Sequence, residues 1–412
     1  LVTGYDIIFF WVIRMVFSGI EQTGKCPFHT VLIHGLVRDS QGRKMSKSLG
    51  NGIDPLEVID KYGADALRMT LITGNAPGND MRFYWERVEN SRNFANKVWN
   101  ASRFIMMNME KADPEKMKAY DLAWGADGSK DAAPLTMADK WILSKVNTLA
   151  KDVTENLDKY ELGIALQKVY DFIWEEFCDW YIEMVKPRLW DDNDSTKAAA
   201  IWTLKTVLID ALKLLHPYMP FITEEIFCNI QDEEESIMIS SWPVYDETNN
   251  FAAEEKAIET IKEAVRNIRN LRADMNVAPS RKALVYVVTA SEDVKNIFNN
   301  SLGFFGTLAY ASEVKVQADK AGIPEDAVST VIPDAVIYIP FAELVDIDKE
   351  IERLKKEEGR LQGEIKRCNG MLNNERFTSK APKAKIDEEK AKLVKYTQML
   401  EQVTERLATL SK

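Results

Sequence analysis

A heptad pattern over roughly the last seventy residues constrains the fold of this 412-residue chain more than any other feature. Apolar residues recur in alternating steps of three and four at Leu344, Ile347, Ile351, Leu354, Leu361, Ile365, Cys368 and Leu372, with Glu358 as the one polar position. The pattern stops over 373–382 and resumes at Ile386, Leu393, Tyr396, Leu400, Val403, Leu407 and Leu410. Two heptad segments joined by a short polar break predict an antiparallel coiled-coil hairpin, with arms roughly 40 Å long.

The hairpin is basic near its break, although the chain as a whole is acidic. The net charge of −11 comes from 64 acidic and 53 basic residues, so any polyanion must meet local basic patches. Four basic residues near the break have no core role in the heptad register: Arg376, Lys380, Lys383 and Lys385. They predict a nucleic-acid contact, and the alternative is an ordinary solvated surface.

Composition indicates a folded protein of several domains, with 46% hydrophobic residues. Because no apolar run reaches the roughly 18 to 20 residues that a bilayer demands, we predict no membrane segment. Four scattered cysteines without a CxxC or Cys/His cluster favour a reducing, cytoplasmic setting and predict no metal site. The chain begins at Leu1 without Met or a signal-peptide pattern, and we expect it to be a piece of a larger protein.

The first seventy residues predict alternating helix and strand. A helix over 3–20 would be capped by Thr3, with Asp6 completing a capping box, and a buried strand over 30–33 would end at His34-Gly35. A polar loop over 38–50 and a helix over 56–61 follow. This order indicates an α/β region that binds its ligand beyond the carboxyl end of the strand.

The rest of the chain is mainly helical by pattern. Apolar residues recur at helical spacing over 85–109 and 138–230, and an aromatic stripe at 173–184 predicts a helix packed in a bundle. The segment 110–136 is rich in Asp, Gly, Ala and Pro and predicts a linker or loop. A helix over 254–272 and strands over 283–289 and 336–340 predict a small α/β module.

The string Lys44-Met45-Ser46-Lys47-Ser48 is the clearest chemical signal. Two lysines on a loop with hydroxylic residues can close over a polyphosphate, each ammonium acting as a mobile positive charge. A lysine that arrives as charge grows on phosphate oxygens stabilises the transition state more than the ground state. A solvated basic loop is the alternative, but the preceding His34-Gly35 and the following Gly50-Asn51-Gly52 favour the functional interpretation.

The string HGLVRDSQGRKMSKSLGN closely resembles the second signature of class I aminoacyl-tRNA synthetases of the valine, isoleucine and leucine branch. Further strings extend the resemblance over essentially the whole chain and favour the valyl-tRNA synthetase family: TGYDIIFFW, NFANKVWN, DKWIL, EFCDWYIE, HPYMPFITEEI, MNVAP and NERFTSKAP. The last of these lies at the break of the hairpin and is characteristic of the valine enzymes. Isoleucine enzymes commonly end instead in a Cys-rich zinc module.

The resemblance implies roles at matching positions. Gly4 and Asp6 would contact the adenylate ribose, His34 and Gly35 would approach the ATP adenine, and Ile7 and Trp11 would form the wall of the amino-acid pocket. The implied ATP-binding set is Gly4, Asp6, His34, Gly35, Lys44, Met45, Ser46, Lys47 and Ser48, with Lys47 and Lys44 catalytic. Structural alternatives remain for the single residues, since Asp6 can serve as a helix cap, Trp11 as core and His34 as a structural histidine.

The resemblance also implies an architecture that is mainly α with α/β parts. Its five segments are 1–72, the second half of a Rossmann-like catalytic domain with the lysine loop; 73–138, a connecting, stem-contact region and linker; 139–242, a helical anticodon-binding domain; 243–342, a small α/β junction module; and 343–412, a tRNA-binding coiled-coil hairpin.

The implied activity is that of a valine–tRNA ligase, which joins valine to ATP, supplied with Mg²⁺, and transfers it to tRNA(Val). We expect a monomer. The first ATP signature, an HIGH-type sequence, and an editing domain do not occur in these residues, so we expect the piece alone to be inactive. Gly78-Asn79-Asp80 stands where the family suggests GQD, which leaves the role of Asn79 open. The alternatives are an isoleucyl enzyme and a non-catalytic tRNA-binding module.

Overall fold

The structure is a computed structural model that describes residues 1–125, 128–231, 233–344, 347–374 and 382–410. The chain divides into two compact units, Leu1–Glu259 and Thr260–Lys412. The architecture is mainly helical with small sheets, as the sequence predicted. Within the described ranges, no helix combines the length and apolar character needed to cross a membrane.

The first unit opens with a short α/β region. Its elements are β1 (Val2–Gly4), α1 (Ile13–Thr23), β2 (Leu32–His34), β3 (Val37–Arg38), α2 (Pro55–Tyr62), α3 (Ala64–Ile72) and β4 (Met81–Arg82). The pairs β1–β2 and β3–β4 are both parallel, as expected for an α/β topology. The strand ends therefore bring His34 beside Gly4, and Arg38 beside Arg82.

The prediction of one helix over 3–20 is wrong at its start. Thr3 is buried in β1 and its hydroxyl donates to Gly4 O, so it caps no helix. A 3₁₀ turn (Tyr5–Ile7) and a π-helical turn (Ile8–Val12) precede α1. The sequence pattern missed this because strand pairing with residues 32–34 satisfies the first backbone groups, which outweighs a local cap.

Helices α4 (Trp85–Met109) and α5 (Pro114–Trp124) follow. The prediction of a linker over 110–136 is therefore corrected, because α5 occupies much of it. Asp113 caps α5 by accepting from Glu115 N, and Pro114 occupies its first position. The indole of Trp124 donates to Ala133 O, which folds the rest of the segment back on this helix.

A helical bundle makes up the remainder of the first unit. Its helices are α6 (Met137–Asp158), α7 (Leu162–Asp171), α8 (Ile182–Trp190), α9 (Lys197–Leu215) and α10 (Pro220–Ile230), with a π-helical segment (Phe172–Tyr181) between α7 and α8. The predicted aromatic stripe is core: Ile173, Phe177, Trp180, Tyr181 and Met184 are buried. Asp65 of α3 accepts from Phe221 N and Ile222 N at the start of α10 and so ties the α/β region to the bundle.

Helix α11 (Ala252–Asp274) begins in the first unit and ends in the second. The second unit then forms β5 (Ala283–Val288), α12 (Glu292–Asn299), α13 (Leu302–Leu308), β6 (Ala311–Gln317), β7 (Val328–Ile332), β8 (Ala335–Ile339) and α14 (Phe341–Leu344). Its four-stranded sheet has the order β6-β5-β8-β7, with β5 parallel to β6 and antiparallel to β8. The predicted strands are thus confirmed, and β6, β7 and the short helices were not predicted.

Two long helices, α15 (Ile347–Leu372) and α16 (Lys383–Leu410), form the predicted hairpin arms. Leu354, Leu361 and Cys368 are buried at heptad positions. The second arm adds a polar heptad position that the sequence analysis passed over, since Glu389 is buried between Ile386 and Leu393. The thiol of Cys368 donates to Glu389 Oε2 at 3.4 Å, so one layer of the seam is polar.

Candidate functional site

A tight loop after β3 carries the two lysines, and Asp39 organises its start. Asp39 is only 7% exposed, and its carboxylate accepts from Gln41 N, Arg43 N, Arg43 Nε and Asn51 Nδ2. These bonds, led by that from Asn51, hold the pKa of Asp39 well below its usual range. Gly42 turns the loop in the left-handed region, at φ +82°.

The segment 44–48, called here the lysine loop, lies close to β1. Lys44 Nζ is 3.4 Å from Asp6 Oδ2, and the Ser46 and Ser48 hydroxyls lie 3.1 Å apart. Lys47 is exposed, and no hydrogen bond or ion pair joins its ammonium to the part of the chain that the structure describes. The loop therefore offers a free cation beside a paired one, next to the end of a parallel strand.

The strand ends at β1 and β2 form the floor of the site. Gly4 and His34 are direct partners in the parallel ladder, and His34 Nδ1 lies 2.8 Å from Gly35 O. Position 35 must be glycine because the backbone of Asn79 passes very close to it. A Cβ at this position would lie 1.8 Å from Asn79 O. The structure thus brings together Gly4, Asp6, His34, Gly35 and the lysine loop.

Ile7 and Trp11 lie on exposed turns next to this floor. Their exposed fractions are 40% and 58%, and Arg14 sits 5.9 Å from the centre of the Trp11 ring. Phe9, Phe10 and Phe17 are also exposed, so this part of the first unit presents a large apolar surface. Trp11 lies in the π-helical turn that follows Ile7, whereas the sequence predicted that both residues belong to one helix.

Asp80 connects the elements of the site, and the sequence analysis missed it. Its carboxylate accepts from Leu36 N at 2.7 Å, from Tyr5 Oη at 3.1 Å and from Arg38 Nε. The bonds from Leu36 and Arg38 lower the pKa of Asp80. In the string Gly78-Asn79-Asp80, the sequence raised a question only about Asn79. The residue that anchors the site is Asp80.

Four basic residues of the helical bundle, Arg188, Lys168, Lys186 and Lys197, are held in ion pairs. Arg188 donates through Nη1 and Nη2 to the fully buried carboxylate of Asp139, which also accepts from the Tyr181 hydroxyl. Lys168, Lys186 and Lys197 pair with Asp152, Glu183 and Asp192, respectively. Each of these four basic side chains therefore has a neighbouring carboxylate as its partner.

The four predicted tRNA contacts of the hairpin are described only in part. Arg376 and Lys380 lie outside the described residues, and Lys383 is described only as the first residue of α16. Lys385 is exposed in the first turn of α16. Its placement on the solvent side agrees with a position outside the heptad seam.

Three family models match the chain. They are tRNA synthetases class I (I, L, M and V) at 1–84, the anticodon-binding domain of tRNA ligase at 139–287, and the valyl tRNA synthetase tRNA binding arm at 346–411. Together with the parallel strand ends and the lysine loop, these matches place the chain among the class I aminoacyl-tRNA synthetases.

The chain belongs, within this class, to the valine–tRNA ligase family. It is 57% identical over 410 residues to a valine–tRNA ligase of Clostridium perfringens and 53% identical over 410 residues to one of Clostridium acetobutylicum. Each match covers 100% of this chain and 45% of the relative, so the chain spans less than half the length of these relatives. A solved LeuRS–tRNA–LeuAMS complex of Agrobacterium radiobacter K84 aligns with a TM-score of 0.47 and 18% sequence identity. The alignment covers 61% of this chain and 30% of that chain.

Proposed function

We propose that this chain is part of a valine–tRNA ligase that activates valine with ATP and transfers it to tRNA(Val). The observation that carries the proposal is the lysine loop held beside Asp6 and the strand ends at Gly4 and His34, in a chain 57% identical to a named valine–tRNA ligase. An isoleucyl enzyme is the alternative within the class. A non-catalytic tRNA-binding module is the alternative outside it.

Activation is an attack of the valine carboxylate oxygen on the α-phosphorus of ATP. A new O–P bond forms, and the bond from the α-phosphorus to the oxygen shared with the β-phosphate breaks, so that pyrophosphate leaves. Mg²⁺ would enter with ATP and leave with pyrophosphate. Negative charge grows on the α-phosphate and pyrophosphate oxygens as this happens. Lys47, which has no carboxylate partner among the described residues, and Lys44 would stabilise that charge.

The floor of the site would hold the adenosine half of ATP. Gly4 and Asp6 are assigned to the ribose, and His34 and Gly35 to the adenine. Met45, Ser46 and Ser48 would contribute loop contacts, the serines as hydrogen-bond donors to phosphate. Ile7 and Trp11 would line the valine pocket, where an apolar wall excludes larger side chains by size.

The remaining segments would bind tRNA. We assign anticodon recognition to the helical domain at 139–242 and contact with the tRNA body to the hairpin at 343–412. The segments 1–72, 73–138 and 243–342 are assigned to the catalytic half-domain, the connecting region and the junction module, respectively. We propose that the protein acts in the cytoplasm, where its four free cysteines would stay reduced, and that it is a monomer.

Valine-dependent ATP–pyrophosphate exchange by the full-length protein tests the proposal. Exchange with valine at low concentration, and with isoleucine only at much higher concentration, is the expected result. A preference for isoleucine would establish the isoleucyl alternative. Binding of tRNA without exchange for any amino acid would establish the non-catalytic module.

A further inference from the structure

The side-chain amide of Asn51 reaches back over its own loop and bonds three groups. Its Nδ2 donates to Asp39 Oδ2 at 2.9 Å and to Lys44 O at 3.3 Å, and its Oδ1 accepts from Ser46 N at 3.0 Å. An amide offers both donors and an acceptor, so one side chain can bond both kinds of backbone group. Asn51 thereby fixes the backbone on both sides of Met45.

The anchor behind Asn51 is rigid. Asp39 is buried, and its other bonds come from two backbone amides and from Arg43 Nε, all within its own turn. A carboxylate held at this many points cannot follow a moving loop. The bond between Asn51 and Asp39 therefore ties the lysine loop to the end of β3.

The backbone around Asn51 is shaped for this contact. Gly50 lies in the left-handed region at φ +60°, where nothing lies within 4 Å of the position that a Cβ would take. This turn reverses the chain after the second lysine and directs Asn51 toward Lys44 and Ser46. Leu49 N, which donates to Ser46 Oγ at 3.3 Å, closes the same turn.

We propose that Asn51 is a positioning residue that latches the lysine loop in the conformation in which Lys44 and Lys47 assist adenylate formation. This inference rests on the proposed function for its effect on rate, but the latch itself is a property of the loop. Lys44 and Lys47 lie at most one residue from a backbone group that Asn51 bonds. Losing the latch therefore displaces both ammonium groups while leaving the valine pocket untouched.

Two variants separate the bonds of the latch. Asn51→Ala removes all three bonds. Asn51→Asp keeps an acceptor for Ser46 N but loses both donations and places a carboxylate about 2.9 Å from that of Asp39. Two carboxylates at that distance share a proton, so acidification should partly restore the Asp variant and leave the Ala variant unchanged.

Asp54→Ala is the matched control. Asp54 caps α2 by accepting from Leu56 N at 2.9 Å, three residues beyond Asn51, and touches none of the latch bonds. It loosens the same neighbourhood without releasing the lysine loop.

Three measurements on the full-length protein decide the question: the rate of valyl-adenylate formation in a single turnover, the dissociation constant for valine, and the rate of trypsin cleavage after Lys44 and Lys47. For Asn51→Ala we expect adenylate formation to slow by about 10- to 100-fold, as misplacement by about 1 Å produces. Valine binding should change by less than about twofold, and cleavage of the loop should be clearly faster. Asp54→Ala should form adenylate and be cleaved in the loop at the parent's rates.

Cleavage of Asn51→Ala at the parent's rate would overturn the latch, and so would an unchanged rate of adenylate formation. An equal loss of activity in Asp54→Ala would overturn it as well, since the effect would then be general loosening. If the parent shows no valine-dependent activity, the proposed function fails, and the trypsin comparison still decides whether Asn51 holds the loop.

Discussion

Lys44 Nζ lies 3.4 Å from Asp6 Oδ2, although 38 residues separate them in sequence. The pair joins the lysine loop to the turn that follows β1. It also distinguishes the two lysines of the loop, since Lys44 has a carboxylate partner and Lys47 is free of one among the described residues. The free lysine is therefore the better placed to meet charge that appears only during the reaction.

Replacing Lys47 with alanine should slow valine activation far more than it weakens valine binding. A charge-assisted contact made mainly in the transition state contributes roughly 1.5 to 3 kcal/mol, which is about tenfold to over a hundredfold in rate. Single-turnover adenylate formation and equilibrium valine binding measure the two effects. Lys25→Ala, which removes another exposed lysine, is the control. Equal activation by both variants would show that the loop is only a surface feature.

Replacing Ile7 with alanine should admit isoleucine to the amino-acid pocket. One methylene in a hydrophobic pocket is worth about 1 to 3 kcal/mol, so the preference for valine should fall by about tenfold or more. Exchange rates with each amino acid give the ratio. Ile20→Ala, at the far end of α1 and similarly exposed, should leave the ratio unchanged. A ratio that stays constant for Ile7→Ala would remove Ile7 from the pocket.

The carboxyl group of Asp210 should make the helical bundle less stable as pH rises. Burial raises the pKa of Asp210 from 3.8 to about 6, against the opposing charge of Lys213. The folded state therefore binds this proton more tightly than the unfolded state does. The resulting stabilisation is complete below about pH 4 and is lost as pH rises through 6. Asp210→Asn should raise the free energy of unfolding at pH 8 by roughly 1 to 3 kcal/mol and should have little effect at pH 4.

Urea unfolding followed by tryptophan fluorescence at pH 4 and pH 8 measures this difference, because Trp141, Trp180 and Trp202 are buried in the same bundle. The control is Asp192→Asn. Pairing with Lys197 lowers the pKa of Asp192, so this variant should not be stabilised at pH 8. Equal unfolding free energies for Asp210→Asn and the parent at pH 8 would contradict the prediction.

Replacing the four basic residues near the hairpin break, Arg376, Lys380, Lys383 and Lys385, with alanine should weaken tRNA binding without reducing helix content. For every phosphate that the variant no longer binds, the slope of log affinity against log salt should fall by up to about 0.7 to 0.9. Filter binding across a salt series and circular dichroism measure the two quantities. Removing four exposed lysines outside the segments assigned to tRNA contact, Lys25, Lys282, Lys315 and Lys320, gives a variant of matched charge. The same affinity and slope in the parent and the hairpin variant would mean that the arm does not bind tRNA through these residues.

The sequence predicted the features that depend on local periodicity. The heptad steps predicted α15 and α16, and the aromatic stripe at 173–184 predicted a buried face of the bundle; both are confirmed. Helical spacing reports which face is buried, and burial is what stabilises these helices.

Features that depend on distant partners escaped prediction. Thr3 looked like a helix cap, but pairing of β1 with β2 made it part of a strand. Asp80 gave no sign of anchoring the site, because its donors come from Leu36, Tyr5 and Arg38, at separations that only the fold specifies. The bond from Asn51 to Asp39 likewise joins residues 12 positions apart. The sequence revealed the lysine loop as a motif, but it did not reveal the residues that hold the loop in place.

The polar layer formed by Cys368 and Glu389 restricts how the two arms of the hairpin can align. Glu389 Oε2 accepts from the Cys368 thiol at 3.4 Å and lies 3.6 Å from Arg367 Nη1 of the other arm, so these two contacts of the buried carboxylate depend on the observed alignment of the arms. A slip of one heptad would move an arm by about 10 Å, and in one direction would set the carboxylate against Leu361, where no thiol is available. Leucine layers tolerate such a slip, whereas a buried carboxylate that loses its partners does not. The cross-arm contacts of Glu389 therefore favour one alignment of the two helices, and with it one length of the hairpin.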